Sequence, residues 1–180
     1  MTHPRRRPRL MAGPLMLCWA ALLAGCGFQP VYMPTASGKA GPAERELAAT
    51  YVNLIPERPG QELRQDLQQR LGSDSGSAIR YHLAVSFGVG GEGIGILTSG
   101  IATRIRLTAN AQWTLTTVDG KRVTSGSARA LDGFNILDQQ YFAADLSNDA
   151  LQQRLAGDIA DQITMQLATY FRRQADVASR

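Results

Sequence analysis

Apolar side chains recur every four residues in two parts of the chain. A repeat of this length places them on one face of a helix. The two repeats are Leu63, Leu67 and Leu71, and then Leu151, Leu155, Ile159, Ile163 and Leu167. Pro59 suits a first helical turn and Gly72 a C-terminal cap, so the first repeat predicts a helix between these residues. The second repeat predicts a long helix near the end of the chain.

Two other segments, residues 79–87 and residues 101–116, alternate between apolar and polar residues, which is typical of half-buried strands. Asp119-Gly120 is a strong hairpin turn signal, so residues 121–131 are expected to continue as the returning strand. Residues 48–55 are short and β-prone and predict one more strand. The predicted order is therefore β-α-β-β-β-α. We expect an α+β two-layer sandwich, in which two helices pack on one face of a four-stranded sheet and the other face stays polar and wet.

The segment GVGGEG, residues 88–93, matches the glycine spacing of dinucleotide-binding loops. Such a loop has to lead into a helix whose N-terminus meets the pyrophosphate. The residues that follow have no helical pattern, so the sequence predicts no cofactor. We interpret residues 88–100 as a flexible, glycine-rich connection between two strands. The sequence does not decide whether this connection becomes ordered when the protein docks on a partner.

The first 25 residues have the composition of a secretory signal peptide. Four arginines precede an apolar stretch of about 14 residues, which is shorter than the roughly 20 residues of a membrane-spanning helix. The stretch ends in Leu23-Ala24-Gly25-Cys26, which resembles the bacterial lipoprotein signal. That resemblance implies cleavage before Cys26, a diacylglyceryl group on its thiol and an acyl chain such as palmitate on its new amine. Gly27 is not the Asp of inner-membrane retention, so the expected location is the outer membrane.

Residues 26–43 are rich in proline and small residues and read as a lipidated tether, followed by a single domain over residues 44–180. Phe28, Val31 and Tyr32 are unusually apolar for a tether. Contact with the nearby membrane and docking on a partner protein both explain them, and we take the three as docking candidates.

Without its signal peptide the chain has no net formal charge. Removing 25 of 180 residues removes four of the 19 basic residues and none of the 15 acids. A neutral chain argues against a nucleic-acid-binding protein, which needs a basic surface. Cys18 leaves with the signal peptide and Cys26 carries lipid, so no disulfide is expected.

Candidates for catalysis are few. His82 is the only histidine after the signal peptide, and it falls on the polar side of a strand with no nucleophile motif nearby. One imidazole and no free thiol cannot build a zinc site. We therefore predict no enzymatic activity, no metal and no cofactor other than the covalent lipid, although a hydrolase that uses His82 is kept as a rival to be tested.

Four basic residues are the candidates for ligand binding. Arg104 and Arg106 share the polar side of a predicted strand, and Lys121 and Arg122 follow the predicted hairpin turn. The simpler explanation is that these side chains are solvated and protect an edge of the sheet from pairing with another strand. The functional alternative is a phosphate-binding patch, because the guanidinium group binds phosphate oxygens in a bidentate way.

Several stretches together resemble the LPS-assembly lipoprotein family, LptE, in its alphaproteobacterial form. They are CGFQPVY after the signal, LIPERPGQELRQDLQQRL, RIRLTANAQWTLTTVDGKRV and DIADQITMQLATYF. The resemblance implies a lipoprotein on the periplasmic side of the outer membrane that assembles with and plugs the LptD-like β-barrel of the lipopolysaccharide (LPS) translocon. It also implies LPS binding by basic residues of the sheet, here Arg104, Arg106, Lys121 and Arg122. The alternative is an accessory lipoprotein of an ABC-type lipid transporter.

Overall fold

The computed structural model describes residues 41–73, 76–96, 102–135 and 141–179, and the side chains of 95, 96, 102, 103 and 141–147 lie outside the description. Three helices and four strands make up this part of the chain. In chain order they are α1 (Pro42–Ala48), β1 (Thr50–Val52), α2 (Arg58–Leu71), β2 (Tyr81–Ile96), β3 (Ala102–Thr117), β4 (Arg122–Asn135) and α3 (Tyr141–Ala178).

The strands form one mixed sheet in the order β1-β2-β3-β4. The last three are an antiparallel meander, and β1 adds to β2 in parallel at the other edge. The predicted turn at Asp119-Gly120 is confirmed, because Gly120 has the positive φ of 80° that this turn requires. Since β2, β3 and β4 each span 14 to 16 residues, the meander is a long ribbon of roughly 50 Å.

Helices α2 and α3 cover one face of this sheet, α1 packs against both of them, and the core lies between the two layers. The leucines and isoleucines of both four-residue repeats are buried, as are the alternate strand residues Leu83, Leu107 and Leu115. On the other face the alternate positions carry Ser86, Gln112 and other polar or small residues. The predicted α+β two-layer architecture is therefore confirmed, with one helix more than expected.

That additional helix, α1, begins at Pro42, within the segment that the sequence assigns to the tether. Its Ala43 and Leu47 are four residues apart and both buried, and Glu44 accepts a hydrogen bond from the backbone N–H of Gly41. A helix of seven residues is too short to produce a periodic signal. Two other elements differ in length from the prediction. Strand β1 has three residues rather than the eight predicted at 48–55, and α3 begins ten residues before Leu151, the first residue of the apolar repeat.

The prediction of a flexible connection is wrong for residues 88–96, which continue strand β2. Each of them except Gly95 has a partner in the register with β3, from Gly88 opposite Asn110 to Ile96 opposite Ala102. The hydrogen bonds of the ladder outweigh the low strand propensity of glycine. A Cβ on Gly91 would lie 3.0 Å from Leu107 Cδ2, so this glycine also gives a core leucine its room. Residues 97–100 lie outside the described residues.

An ion pair joins the two longer helices. Arg70 of α2 donates from Nε to Asp161 Oδ1 of α3 at 2.6 Å, and its Nη1 lies 3.5 Å from Asp66 Oδ1. The hydrogen bond from Arg70 to Asp161 raises the pKa of the guanidinium group despite its partial burial. Asp161 thus links α3 to α2.

Two glutamines of α3 bind the open backbone edge of β4. The Arg129 N–H donates to Gln162 Oε1 at 3.3 Å, and Gln162 Nε2 donates to the Arg129 carbonyl at 3.0 Å. Gln166 Nε2 donates to the Ser127 carbonyl at 3.0 Å. Side-chain amides therefore occupy backbone groups that would otherwise template the pairing of another strand.

Replacing Gln162 with alanine is expected to lower the free energy of unfolding by about 1 kcal/mol, because two hydrogen bonds to the edge are lost. Urea unfolding followed by circular dichroism measures the change. Gln153→Ala, at an exposed position of the same helix, is the control and should stay within about 0.5 kcal/mol of the parent. Equal stability of the two variants would contradict a role for Gln162 in holding the edge.

Candidate functional site

The described helices leave the other face of the sheet uncovered. A shallow groove of about 630 Å³ crosses it, and Ser86, Gln112, Thr114, Ser125 and Ser127 are among the residues that line it. These side chains are short and uncharged, and their hydroxyl and amide groups both donate and accept hydrogen bonds. Arg122 contributes the positive charge at the rim of the groove.

Arg104 and Arg106 lie on this open face near the start of β3. Together with Leu131, Asp132 and Gly133 they line a cleft of about 270 Å³. Arg106 Nη1 is 3.0 Å from Glu92 Oε1, across the pair of strands. The Arg106 side chain is half exposed, so water screens this ion pair and the guanidinium group stays accessible to an anion.

Asp132 sits beside the two arginines and was not a candidate from the sequence. Partial burial raises its pKa, but the hydrogen bond from the Gly133 N–H and the guanidinium groups of Arg154 and Arg104 outweigh this, so the net pKa is lowered. Arg154 of α3 reaches it from the opposite side at 2.9 Å. The carboxylate therefore links α3 to the edge of β4 and balances part of the positive charge of the cleft.

The lowered pKa makes Asp132 a source of stability at neutral pH that is lost in acid. A depressed carboxyl pKa contributes stability above the unfolded value of about 3.9, and the contribution disappears as the pH falls through the folded value. We expect Asp132→Asn to be less stable than the parent at pH 7 and to approach it as the pH falls below the unfolded value. Chemical denaturation at a series of pH values measures this, and a stability difference that is the same at every pH would contradict it.

Lys121 and Arg122 occupy the other end of the open face. The backbone of Lys121 closes the hairpin through hydrogen bonds with Thr117, and Arg122 donates a side-chain hydrogen bond to Ser125 Oγ. Arg122 pairs with Thr116, ten residues along β3 from Arg106, which is roughly 30 Å in an extended strand. The structure thus brings the four basic candidates together as two separate pairs rather than as one patch.

His82 packs against a neighbouring aromatic ring, and its backbone carbonyl accepts a hydrogen bond. Its ring contacts the Tyr51 ring edge-on, with 5.6 Å between centroids, and the Thr116 hydroxyl donates to its backbone carbonyl. Within the described ranges no three His, Cys, Asp or Glu side chains cluster closely enough to hold a metal ion. No helix of these ranges is both long enough and apolar enough to cross a membrane.

The remaining sequence candidates lie outside the described residues. They are the signal peptide of residues 1–25, Cys26, and the docking candidates Phe28, Val31 and Tyr32. Their roles stay predictions.

Comparison with solved structures shows that this fold recurs among bacterial lipoproteins. A lipoprotein from Caulobacter crescentus shares 26% identity with a TM-score of 0.59, over 72% of this chain and 96% of its own. Rare lipoprotein B from Shewanella oneidensis has 13% identity and a TM-score of 0.56, over 69% and 98% of the two chains. A minor lipoprotein from Acinetobacter baumannii has 16% identity and a TM-score of 0.54, over 68% and 92%. For the Shewanella and Acinetobacter proteins, at 13% and 16% identity, the likeness concerns the fold alone.

Comparison with curated proteins found no significant match. The model of the LptE family, lipopolysaccharide-assembly, matches residues 47–167. This range begins in α1 and ends in α3, so it takes in every strand of the sheet. The match and the shared fold support an envelope lipoprotein with a role in the LPS transport machinery, and this chain belongs to the LptE family.

Proposed function

We propose that this protein is an outer-membrane lipoprotein that assembles with the LptD-like β-barrel of the LPS translocon, plugs it and binds LPS as it passes to the outer leaflet. The match to the family model across the whole sheet carries the proposal. The protein has no catalytic part in this scheme. Its folded domain fills the interior of the barrel, and the lipid on Cys26 anchors the protein at the periplasmic side of the membrane.

The two-layer fold suits a plug because its helices bury the core on one side only. The groove on the open face is lined mainly by short hydroxyl and amide side chains. Such a surface fits closely against another polar surface, and it gives up little side-chain entropy when it does so. We therefore assign the open face to contacts made inside the barrel.

The pairs Arg104–Arg106 and Lys121–Arg122 are the proposed LPS contacts, since LPS is an anion that carries phosphate groups. Arginine binds such oxygens through charge-assisted, bidentate hydrogen bonds. Because the pairs lie roughly 30 Å apart along β3, one phosphate cannot engage both. Each pair therefore makes its own contact, either with different parts of one LPS molecule or at successive stages of its passage.

Purification of the native lipidated protein from membranes, followed by identification of its partners, tests the assembly. A large β-barrel recovered in equal amount is expected, with loss of surface LPS when the protein is depleted. Recovery of the free monomer alone would overturn the proposal. Intact surface LPS with altered phospholipid traffic would instead favour the accessory subunit of an ABC-type lipid transporter.

Paired variants test the LPS contacts. Arg104→Ala with Arg106→Ala, and separately Lys121→Ala with Arg122→Ala, should each weaken binding of purified LPS by about ten-fold or more, because charged hydrogen bonds contribute about 1.5–3 kcal/mol each. Arg58→Ala, an exposed arginine of α2, is the control and should leave binding unchanged. Loss in only one paired variant would confine the contact to that end of the sheet, and loss in neither would exclude both.

A further inference from the structure

The outer edge of β2 is open along most of its length. Strand β1 pairs only with residues 81–83 of β2, and the last backbone hydrogen bond on this side runs from the Asn53 N–H to the Leu83 carbonyl at 2.9 Å. The chain then leaves the sheet and enters α2 at Arg58. Strand β2 itself continues to Ile96, and within the described ranges no other strand pairs with this edge beyond Leu83.

The strand pairing shows which backbone groups the open edge presents. The Tyr81 N–H and the Leu83 carbonyl face β1, and alternate residues of a strand direct their N–H and C=O groups to the same side. The register between β2 and β3 is constant, so the alternation continues along the strand. Five further residues therefore direct both groups outward, and no backbone or side-chain group of the described residues binds them. They are Val85, Phe87, Val89, Gly91 and Gly93.

The two edges of the sheet differ in how they are protected. The amides of Gln162 and Gln166 occupy backbone groups of β4. The edge of β2 lacks the usual obstacles to pairing, since residues 84–94 contain no proline, no lysine and no shift in register. Between Gly88 and Gly93 only Val89 is partly buried, so another chain can reach the backbone. An edge left open in this way pairs readily with a further strand.

A groove of about 300 Å³ lies beside this edge, on the helix side of the sheet. Phe87 and Val89 line it, together with Leu107 and with Pro56 and Pro59 at the start of α2. Side chains of an added strand would alternate between the two faces of the sheet, and those on the helix side would enter this groove. In strand addition the backbone hydrogen bonds provide affinity, and pockets for alternate side chains select the partner.

The charges along the edge indicate what kind of segment it accepts. Glu57 also lines the groove, and within the described residues its carboxylate forms no ion pair. Glu92 is the only charged residue among residues 84–94. A second copy of this edge would bring the same acids and no cation, so a neutral or basic segment of another chain is the better complement.

We propose that an extended segment of the translocon barrel, neutral or basic and with an apolar side chain facing the groove, pairs with β2 beyond Leu83 as an added strand. The strands of a closed barrel wall already pair on both sides, so this segment lies outside the wall. The inference rests on the proposed function and deepens it. It adds backbone pairing at the edge of β2 to the contacts that the open face makes inside the barrel.

Hydrogen exchange in the assembled complex tests this pairing. The lipidated protein is purified together with its barrel, exchanged in deuterated buffer, quenched, and read residue by residue by mass spectrometry with electron-transfer fragmentation. The five outward amides should exchange about 100-fold more slowly in the complex than in the dilute free protein. The amides between them already bond to β3 and are the internal control, with a much smaller change expected. Contact of the open face alone would not slow alternate amides in this way.

Each result distinguishes the inference from the proposed function. A complex in which the outward amides exchange as fast as in the free protein would overturn the added strand and leave the plug intact. Purification without any barrel would overturn both. Slow exchange of the same amides in the isolated protein, lost on dilution, would identify a second copy as the occupant and overturn the assignment to the barrel.

A proline at an outward position gives the second measurement. Val89→Pro removes an N–H from the open edge without removing a hydrogen bond to β3. It should weaken assembly with the barrel about five-fold relative to Val89→Ala, which shortens the same side chain but keeps the N–H. Urea unfolding establishes that both variants fold, and equal assembly of the two folded variants would overturn the inference. If the proline variant does not fold, the exchange pattern decides.

Discussion

Replacing Trp113 with alanine is expected to destabilise the protein by about 3–5 kcal/mol, the range for truncating a large buried aromatic residue. Trp113 is 4% exposed, and its indole Nε1 donates to Gln166 Oε1 at 3.1 Å. The substitution removes the largest side chain of β3 from the core and also breaks a link between the sheet and α3. A loss of this size is a large part of the 5–15 kcal/mol that typically holds a domain together. Urea unfolding measures it.

The packing of this ring also explains Gly126, which pairs with Trp113 across the strands. A Cβ on Gly126 would lie 2.7 Å from Trp113 Cζ2 and 2.8 Å from Gln166 Oε1. We therefore expect Gly126→Ala to cost about 1–3 kcal/mol in the parent protein, as overpacking does, and less when Trp113 is already leucine. An identical cost of Gly126→Ala in both backgrounds would contradict this account. Because Trp113 is the only tryptophan after the signal peptide, its fluorescence reports directly on this contact.

The sequence was sufficient for the parts of the fold in which local periodicity and burial coincide. Leu63, Leu67 and Leu71, and the five apolar residues from Leu151 to Leu167, are buried as their spacing predicts. The alternation in β3 likewise gives the correct face for Leu107 and Leu115. In each case the side chain's own hydrophobicity decides the outcome, so the pattern along the chain contains the information.

Where partners distant in the chain decide the outcome, the sequence was insufficient. The glycines of residues 88–93 are poor strand formers, and only pairing with β3 makes them a strand. Gln162 and Gln166 look like ordinary solvated residues until α3 is placed against the edge of β4. The separation of the basic pairs, by contrast, follows from the length of the predicted hairpin, since positions ten residues apart on a strand lie far apart.

Replacing Cys26 with serine is expected to abolish outer-membrane attachment of the protein. A hydroxyl group is a far weaker nucleophile than a thiolate and does not accept the diacylglyceryl group, so the processing that follows also fails. Stable anchoring needs two or more lipid chains, because each buried CH₂ contributes only about 0.8 kcal/mol and one chain binds reversibly.

Density-gradient separation of inner and outer membranes, with mass spectrometry of the purified chain, measures both consequences. The parent protein should band with the outer membrane at the mass of an acylated chain that begins at residue 26. Cys26→Ser should be absent from that band and should keep the mass of the uncleaved chain. Cys18→Ser, a change of the same kind inside the signal peptide, is the matched control and should behave as the parent does. Both variants in the outer membrane at the parental mass would show that neither thiol carries the anchor.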